Sequence, residues 1–227
     1  MKLTRFTLVL LLSLLISSDQ GAFAQSKIQI GPYLGNGFRM LTGNDKFDLG
    51  FGYRMGIITR VPLNEMVSVT PSFTYARKGY NQLGFIVMEN DEFYKQRLSY
   101  MDIIVPIKFQ VGEVFTFQVG AQAGILLSGE LSYKNYNESK VTRNIKSEIR
   151  PVDWGMVLGA GCQFKNGVGL ELMVNPGFST IYEGNPPLYF NSDDNSIFGE
   201  EFNGNNLLAT FNIFYLFGYQ KPPAKTN

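Results

Sequence analysis

Charged side chains interrupt long apolar stretches of this sequence at alternate positions, and they are the first candidates for chemistry. Asp102 and Lys108 lie within the apolar run 101–111, and Asp153 opens another alternating run. Asp102 and Asp153 could in principle form an acid and base pair. The chain has no His, which removes Ser-His and Asp-His catalysis and the commonest metal ligand. Because strand patterning already explains both carboxylates, we predict no catalytic residue and no cofactor.

Three other features have plain interpretations. Cys162 lies between Ala160 and Phe164 in an alternating run, so we interpret it as an inert, lipid-facing thiol. The acidic stretch 191–201 lacks the full calcium-loop pattern, and we interpret it as a solvated loop without a metal. Basic and acidic residues nearly balance, at 20 against 19, which does not favour a nucleic-acid partner.

Period-two alternation of apolar and polar residues recurs along the chain and predicts two-faced strands. The clearest pair, 97–111 and 115–132, is joined by a short turn, and both strands exceed the usual length in soluble proteins. Tilted strands of about nine to eleven residues are long enough to cross a bilayer. The predicted strands are 27–38, 47–61, 66–79, 97–111, 115–132, 151–165, 168–182 and 205–217.

The connections between these strands alternate in length. Tight turns follow the second, fourth and sixth strands, whereas long polar segments follow the third, fifth and seventh. Outer-membrane barrels have short periplasmic turns and long outer loops, so both termini are expected in the periplasm. An open sheet edge in hydrocarbon would leave backbone groups unpaired, so the first and last strands should pair. The predicted fold is an all-β, eight-stranded, antiparallel, up-and-down transmembrane β-barrel.

The first 24 residues have the pattern of a secretory signal peptide. Basic residues precede an apolar run, and the segment ends on the A-x-A cleavage pattern Ala22-Phe23-Ala24. The apolar run is shorter than the roughly 18 residues that a membrane anchor needs. We therefore predict a cleaved signal peptide over 1–24, an outer-membrane barrel domain over 25–217 and a flexible periplasmic tail over 218–227.

The polar faces of the predicted strands carry charged side chains toward the barrel interior. Eight strands enclose a space that side chains fill, so opposite charges there are expected to pair and plug the lumen. Inward-facing glycines should leave room for these long side chains. The predicted structural network comprises Asp48, Arg54, Arg60, Lys78, Asp102, Lys108, Glu130, Asp153 and Glu171.

Aromatic residues cluster near the predicted strand ends, where two aromatic girdles are expected to mark the limits of the hydrocarbon layer. The loop-side set is Phe47, Tyr75, Tyr100, Trp154 and Tyr182, and the turn-side set is Phe109, Phe115, Phe164, Tyr215 and Phe217.

Five stretches in this order carry a family resemblance: VTPSFTYARKG at 69–79, YMDIIVP at 100–106, GAQAG at 120–124, Asp153 with GAG at 159–161, and YLF at 215–217. Together they resemble the PorT-like outer-membrane β-barrel family of Bacteroidota. The resemblance implies a barrel without a cofactor or catalytic site and, in the founding members, a part in protein secretion and gliding. Such barrels often end on the aromatic that the assembly machinery reads; here Tyr215 and Phe217 match, but ten residues follow.

Three functions stay open at this point. A plugged, non-enzymatic barrel would act through its outer loops or within a surface or secretion assembly, with outer-membrane lipid and the assembly machinery as partners. A narrow channel or transporter for small solutes would need a lumen of unpaired, same-sign charge. A soluble periplasmic lipocalin-like binder would need its apolar face inside and its charged face outside.

Overall fold

The computed structural model is an all-β ring and describes residues 28–42, 50–79, 95–134, 140–182, 189–190, 197–198 and 204–218. The strands are β1 (Gln29–Thr42), β2 (Gly50–Pro62), β3 (Val67–Val69), β4 (Ser72–Lys78), β5 (Lys95–Val111), β6 (Phe115–Lys134), β7 (Lys140–Asn144), β8 (Val152–Gln163), β9 (Val168–Thr180), β10 (Tyr189–Phe190), β11 (Ile197–Phe198) and β12 (Asn205–Tyr215).

Eight antiparallel walls close the ring. The order around it is β1, β2, the collinear pair β3 and β4, β5, β6, β8, β9 and β12. β12 pairs back onto β1, from Tyr33 opposite Phe214 to Thr42 opposite Asn205. All eight predicted strands are therefore confirmed, together with the closure between the first and the last. Closure leaves no sheet edge along this seam.

Proline divides the third predicted strand into β3 and β4. Pro71 has no N–H and cannot continue the ladder in both directions. The neighbouring bonds survive, because the Thr59 N–H donates to the Pro71 carbonyl at 2.7 Å and the Thr70 N–H donates to that of Pro106 at 3.0 Å. The break is therefore local, and the wall stays continuous.

The tight turns are built by residues suited to them. Asn64 Oδ1 accepts hydrogen bonds from the N–H groups of Met66 at 2.8 Å and Val67 at 2.7 Å. Gly112 joins β5 to β6 with a φ of 62°, a conformation that glycine adopts without a steric penalty. The predicted turns after β2 and β5 are thus confirmed.

The walls are apolar outside and polar inside. Along β5, Ile103 and Val105 point outward and are nearly half exposed, whereas Asp102 and Lys108 are buried. Apolar residues also line the outer face of β6, and Thr116, Gln118 and Gln122 are buried inside. This orientation is the reverse of the one that a lipocalin-like binder requires.

Part of the long segment predicted after β6 forms secondary structure. β7 pairs back onto the loop-side end of β6, and a 3-10 turn, Lys146–Glu148, follows it. Within the described residues, no helix has both the length and the apolar character needed to cross a membrane.

The outward aromatic set is confirmed on the turn side, where all five residues are exposed, and at Trp154 on the loop side. Tyr100 and Tyr182 were wrongly assigned to it, since they are 1% and 2% exposed. Tyr100 shares its side of β5 with Asp102, so its ring points into the barrel. Tyr182 lies beyond the end of β9, where an isolated bridge to Ile149 turns it inward. Phe47 lies outside the described residues.

Candidate functional site in the barrel lumen

Four buried charges from four different walls meet in the middle of the lumen. Lys78 Nζ on β4 donates hydrogen bonds to Asp102 Oδ1 at 3.0 Å and to Asp153 Oδ2 at 2.8 Å. Arg54 on β2 lies on the other side of Asp102, with Nη2 at 3.6 Å from Oδ2. Arg54 Nη1 also donates to Asn175 Oδ1 at 3.2 Å. We call Arg54, Lys78, Asp102 and Asp153 the central cluster; it holds two positive and two negative groups, each no more than 4% exposed.

A second ion pair lies nearer the tight turns. Lys108 Nζ donates to Glu171 Oε2 at 3.0 Å, and the Tyr33 hydroxyl donates to Glu171 Oε1 at 2.9 Å. The Lys108 ammonium also lies 4.6 Å from the centre of the Phe214 ring, which gives it a cation–π contact. Both charges of this lower pair therefore have several partners.

Two buried arginines extend the polar interior toward the ends of the barrel. Arg60 Nη1 donates to Gln29 Oε1 at 3.1 Å near the turn side. Arg39, near the loop end of β1, donates from Nη1 to the Lys78 carbonyl. The sequence prediction missed Arg39 because it placed this residue in the loop after the first strand. Arg39 and the inward-facing Tyr33 both occupy odd-numbered positions. This shared parity could have identified Arg39 as an inward-facing residue.

Two members of the predicted network are not among these contacts. Glu130 is only half-buried and lies opposite Arg97 and Asn144, away from the central cluster. The reason is a bulge: Ser99 is opposite Ser128 but Tyr100 is opposite Leu126, so Leu127 is an extra residue in β6. One extra residue reverses which face each later side chain occupies. Asp48 lies outside the described residues.

Amide side chains complete the polar layer, and the sequence prediction had not singled them out. Asn175 Nδ2 donates to Gln122 Oε1 at 2.8 Å, and Asn206 Nδ2 donates to Asp153 Oδ2 at 3.4 Å. Their positions on the inward face of β6, β9 and β12 were readable from the same alternation. Their specific partners were not, since each bond joins different walls.

Apolar side chains pack on both sides of the central cluster. Inward residues along β5 run from Leu98 and Tyr100 through Asp102 to Ile104, so charge lies between apolar layers. The loop-side layer, which we call the loop-side cap, is Leu98, Tyr100, Leu126, Leu131, Ile145, Ile149, Ile181 and Tyr182. The turn-side layer is Tyr33, Ile58, Ile104, Val157, Met173, Phe214 and Leu216.

The loop-side cap depends on a segment outside the walls. Ile145 and Ile149 flank the 3-10 turn after β7 and are 0% and 3% exposed. The Ile145 N–H donates to the Gly129 carbonyl at 2.9 Å, which anchors the segment to β6. The chain between β7 and β8 thus folds inward and covers the lumen on the loop side.

In the described residues, no group of three or more His, Cys, Asp or Glu side chains is arranged to hold a metal ion.

A sequence family described as outer membrane protein beta-barrel domain matches residues 23–183. The chain belongs to this family. It is therefore an outer-membrane β-barrel protein, in contact with the lipid of that membrane. The last wall of the ring, β12, follows the matched range and completes the barrel.

Similar folds occur among solved structures of low sequence identity. Neisserial surface protein A (NspA) is 10% identical, with 83% of this chain and 96% of that chain covered and a TM-score of 0.48. Ail, the attachment invasion locus protein of Yersinia pestis, is 15% identical, with 85% and 99% covered and a TM-score of 0.42. A major outer membrane protein from Thermus thermophilus is 12% identical, with 84% and 99% covered and a TM-score of 0.45. No protein with a curated description matches the chain in sequence.

Glycines make space inside this outer-membrane barrel in two ways. At Gly124 an added methyl group would overlap the Asp102 carboxylate, and at Gly159 it would lie 2.8 Å from Gln118 Nε2. At Gly120, in contrast, it would overlap the backbone of the neighbouring wall at Pro106. Room for a charged side chain, as predicted, is therefore confirmed at Gly124. At Gly159 the neighbouring group is an uncharged amide, and at Gly120 the close approach of two strands leaves no space for a side chain.

We expect Gly124→Ala to lower the free energy of unfolding by about 1–3 kcal/mol. The Asp102 carboxylate can move away from the new methyl group only by weakening its bond to Lys78. Gly129→Ala on the same strand is the matched control, since its nearest neighbours lie 3.3 Å from the added carbon and need to shift only slightly. Urea titration of both variants in detergent micelles measures the difference, and equal losses would contradict the crowding at Asp102.

Proposed function

We propose that this protein is a PorT-like, non-enzymatic outer-membrane barrel whose lumen is plugged by its own side chains and which acts through its outer loops. The observation that carries the proposal is the pairing of Lys78 with both Asp102 and Asp153 in the middle of the lumen. On this view the walls are a scaffold, and the loops contact partners in a surface or secretion assembly.

Charge balance supports a plug rather than a conduit. A channel lined by charged side chains would expose those charges to a passing ion. In the central cluster, in contrast, the positive and negative side chains pair with each other. The lower pair of Lys108 and Glu171 does the same at 3.0 Å. Buried ion pairs with one partner removed are strongly unfavourable, so these contacts should persist in the native barrel.

Apolar closure supports the same conclusion. On the loop side of the central cluster, the Tyr100 ring of the loop-side cap contacts the Lys78 ammonium, which lies 4.7 Å from the ring centre. Below it, Arg54 Nη1 lies 3.1 Å from the Met173 sulfur, which belongs to the turn-side layer. An ion crossing the barrel would have to displace an apolar layer at each end.

The absence of an enzymatic role is inferred from the same contacts. Asp102 and Asp153 would need access to substrate to act as an acid and base. Both are instead turned toward a shared ammonium and are 3% exposed or less. Cys162 shares the outward parity of its strand and is half-buried on the outer face, where no described group activates it.

The orientation of the barrel in the membrane gives the location of the remaining parts of the chain. We place the tight turns and both termini in the periplasm, and we propose that the signal peptide is removed after residue 24. Residues 1–24 and 219–227 lie outside the described residues. Tyr215 and Phe217 lie on the outer face near the turns, with ring centres 5.0 Å apart, and we assign them to recognition by the assembly machinery.

Planar-bilayer recording of the purified full chain tests the plug. The expected current is that of the protein-free bilayer across the accessible voltage range, because each layer of the lumen is occupied by packed or paired side chains. The protein is delivered to the bilayer from proteoliposomes, in which its insertion is verified by protease protection, and a porin standard shows that the assay detects open barrels. Discrete conductance steps from the inserted protein would overturn the plug and favour the small-solute channel.

A further inference from the structure

The outer face of β1 carries an amide where the surrounding surface is apolar. Asn36 lies near the middle of β1 and points away from the lumen. Leu34 and Phe38 flank it along the strand, and Tyr53 and Phe211 lie opposite it on the neighbouring walls. Leu34, Phe38 and Phe211 are each more than half exposed. The amide is therefore placed in the apolar band that faces lipid.

Asn36 is an exception among the described residues. Other amide or charged side chains on the outer face, such as Arg77, Arg97 and Asn205, lie at the loop ends of their strands. No described side chain bonds to the Asn36 amide. Hydrocarbon offers no hydrogen-bond partner, so an unpaired amide at this depth is costly.

A groove runs beside this amide on the outer surface. It has a volume of about 480 Å³ and is lined chiefly by Leu34, Phe51, Met55, Phe211 and Ile213. A lipid acyl chain could fill such a groove, but it could not bond to the amide. The occupant that satisfies both features must bring apolar side chains and a hydrogen-bonding group to the same depth.

We propose that this face, formed by β12, β1 and β2, binds a second copy of the chain about a two-fold axis parallel to the membrane normal. Copies inserted in the same direction hold Asn36 at the same depth, so the two amides can meet. A side-chain amide is both donor and acceptor, which makes an Asn36 to Asn36 contact self-complementary. Polar side chains that bond across an apolar interface are a known means of association in membranes.

Site-directed cross-linking of the full chain in membranes tests the contact. The one native thiol is removed by Cys162→Ser, and Leu34→Cys is introduced into that background, which places a thiol on the same outer face and keeps the Asn36 amide. Ala121→Cys is the matched control, because Ala121 is exposed on β6, on the opposite wall, at a similar distance from the tight turns. With a short thiol-to-thiol cross-linking reagent, the Leu34 variant is expected to form a covalent dimer and the Ala121 variant to stay monomeric. No dimer, or equal dimer from both, overturns the proposal.

The mass of the protein in detergent micelles provides a second readout that does not depend on cysteine chemistry. The natural chain is expected to show a concentration-dependent dimer, and Asn36→Leu to raise the dissociation constant about tenfold or more. Val105→Leu, an outward change on β5, should leave the dimer intact. A monomer at every concentration, or a dimer that Asn36→Leu does not weaken, overturns the proposal without bearing on whether the lumen is plugged.

Discussion

Replacing Lys78 with Met is expected to lower the free energy of unfolding by about 3–5 kcal/mol. The ammonium is the shared partner of Asp102 and Asp153, and its loss leaves two carboxylates buried together. Arg54 cannot replace it, because it lies 3.6 Å from Asp102 and bonds to Asn175 instead of Asp153. Urea unfolding in micelles, followed by the fluorescence of the one Trp, at position 154, measures the loss.

Two further variants make this expectation specific. Lys165→Met is the same substitution at an exposed pair, where Lys165 and Glu113 are 3.6 Å apart and about 70% exposed, and it should cost no more than about 1 kcal/mol. The triple variant that adds Asp102→Asn and Asp153→Asn to Lys78→Met should be more stable than Lys78→Met alone, because it no longer buries two carboxylates without a cation. A Lys78→Met loss no larger than that of Lys165→Met would contradict the central cluster as a stabilising plug.

Glu171→Leu is expected to destabilise the barrel by a similar amount, about 3–5 kcal/mol. The change removes the partner of Lys108 at 3.0 Å and also the acceptor of the Tyr33 hydroxyl at 2.9 Å. The remaining Phe214 ring can offset only part of the loss, since a cation–π contact contributes about 0.5–2 kcal/mol. The same unfolding measurement reports the effect.

A double-mutant cycle separates the pair from its surroundings. Lys108→Met with Glu171→Leu should be more stable than Glu171→Leu alone, with a coupling energy of about 1–3 kcal/mol. Tyr33→Phe is the control for the hydroxyl, and its smaller loss, about 1 kcal/mol, isolates that single bond. Strict additivity of the two charge substitutions would show that Lys108 and Glu171 do not interact in the folded protein.

Alternation of apolar and polar residues makes the walls and their polarity predictable from the chain alone. Successive side chains of a strand point to opposite faces, so Asp102 and Lys108 had to share a side that Ile103 and Val105 do not. Turn chemistry at Gly112 marked the hairpin between β5 and β6. Exclusion of unpaired backbone from hydrocarbon then predicted that β12 would close onto β1.

The partners of each charge could not be predicted in this way. Lys78 contacts Asp153 across a sequence separation of 75 residues, and that approach depends on the tilt and stagger of all the intervening walls. Arg39 was missed because the length of β1, not the alternation itself, decides whether it lies in a strand or a loop.

The sequence by itself determined a barrel with an apolar outside and a charged inside, because period two is a local property of each strand. Tertiary structure decided which charges meet, and it corrected the place of Glu130. A single extra residue, Leu127, reverses the faces of β6 beyond it, and nothing in the alternation of Ser128 and Glu130 announces that shift. Tertiary structure also folded Ile145 and Ile149 into the lumen, where long-range packing rather than local pattern determines their burial.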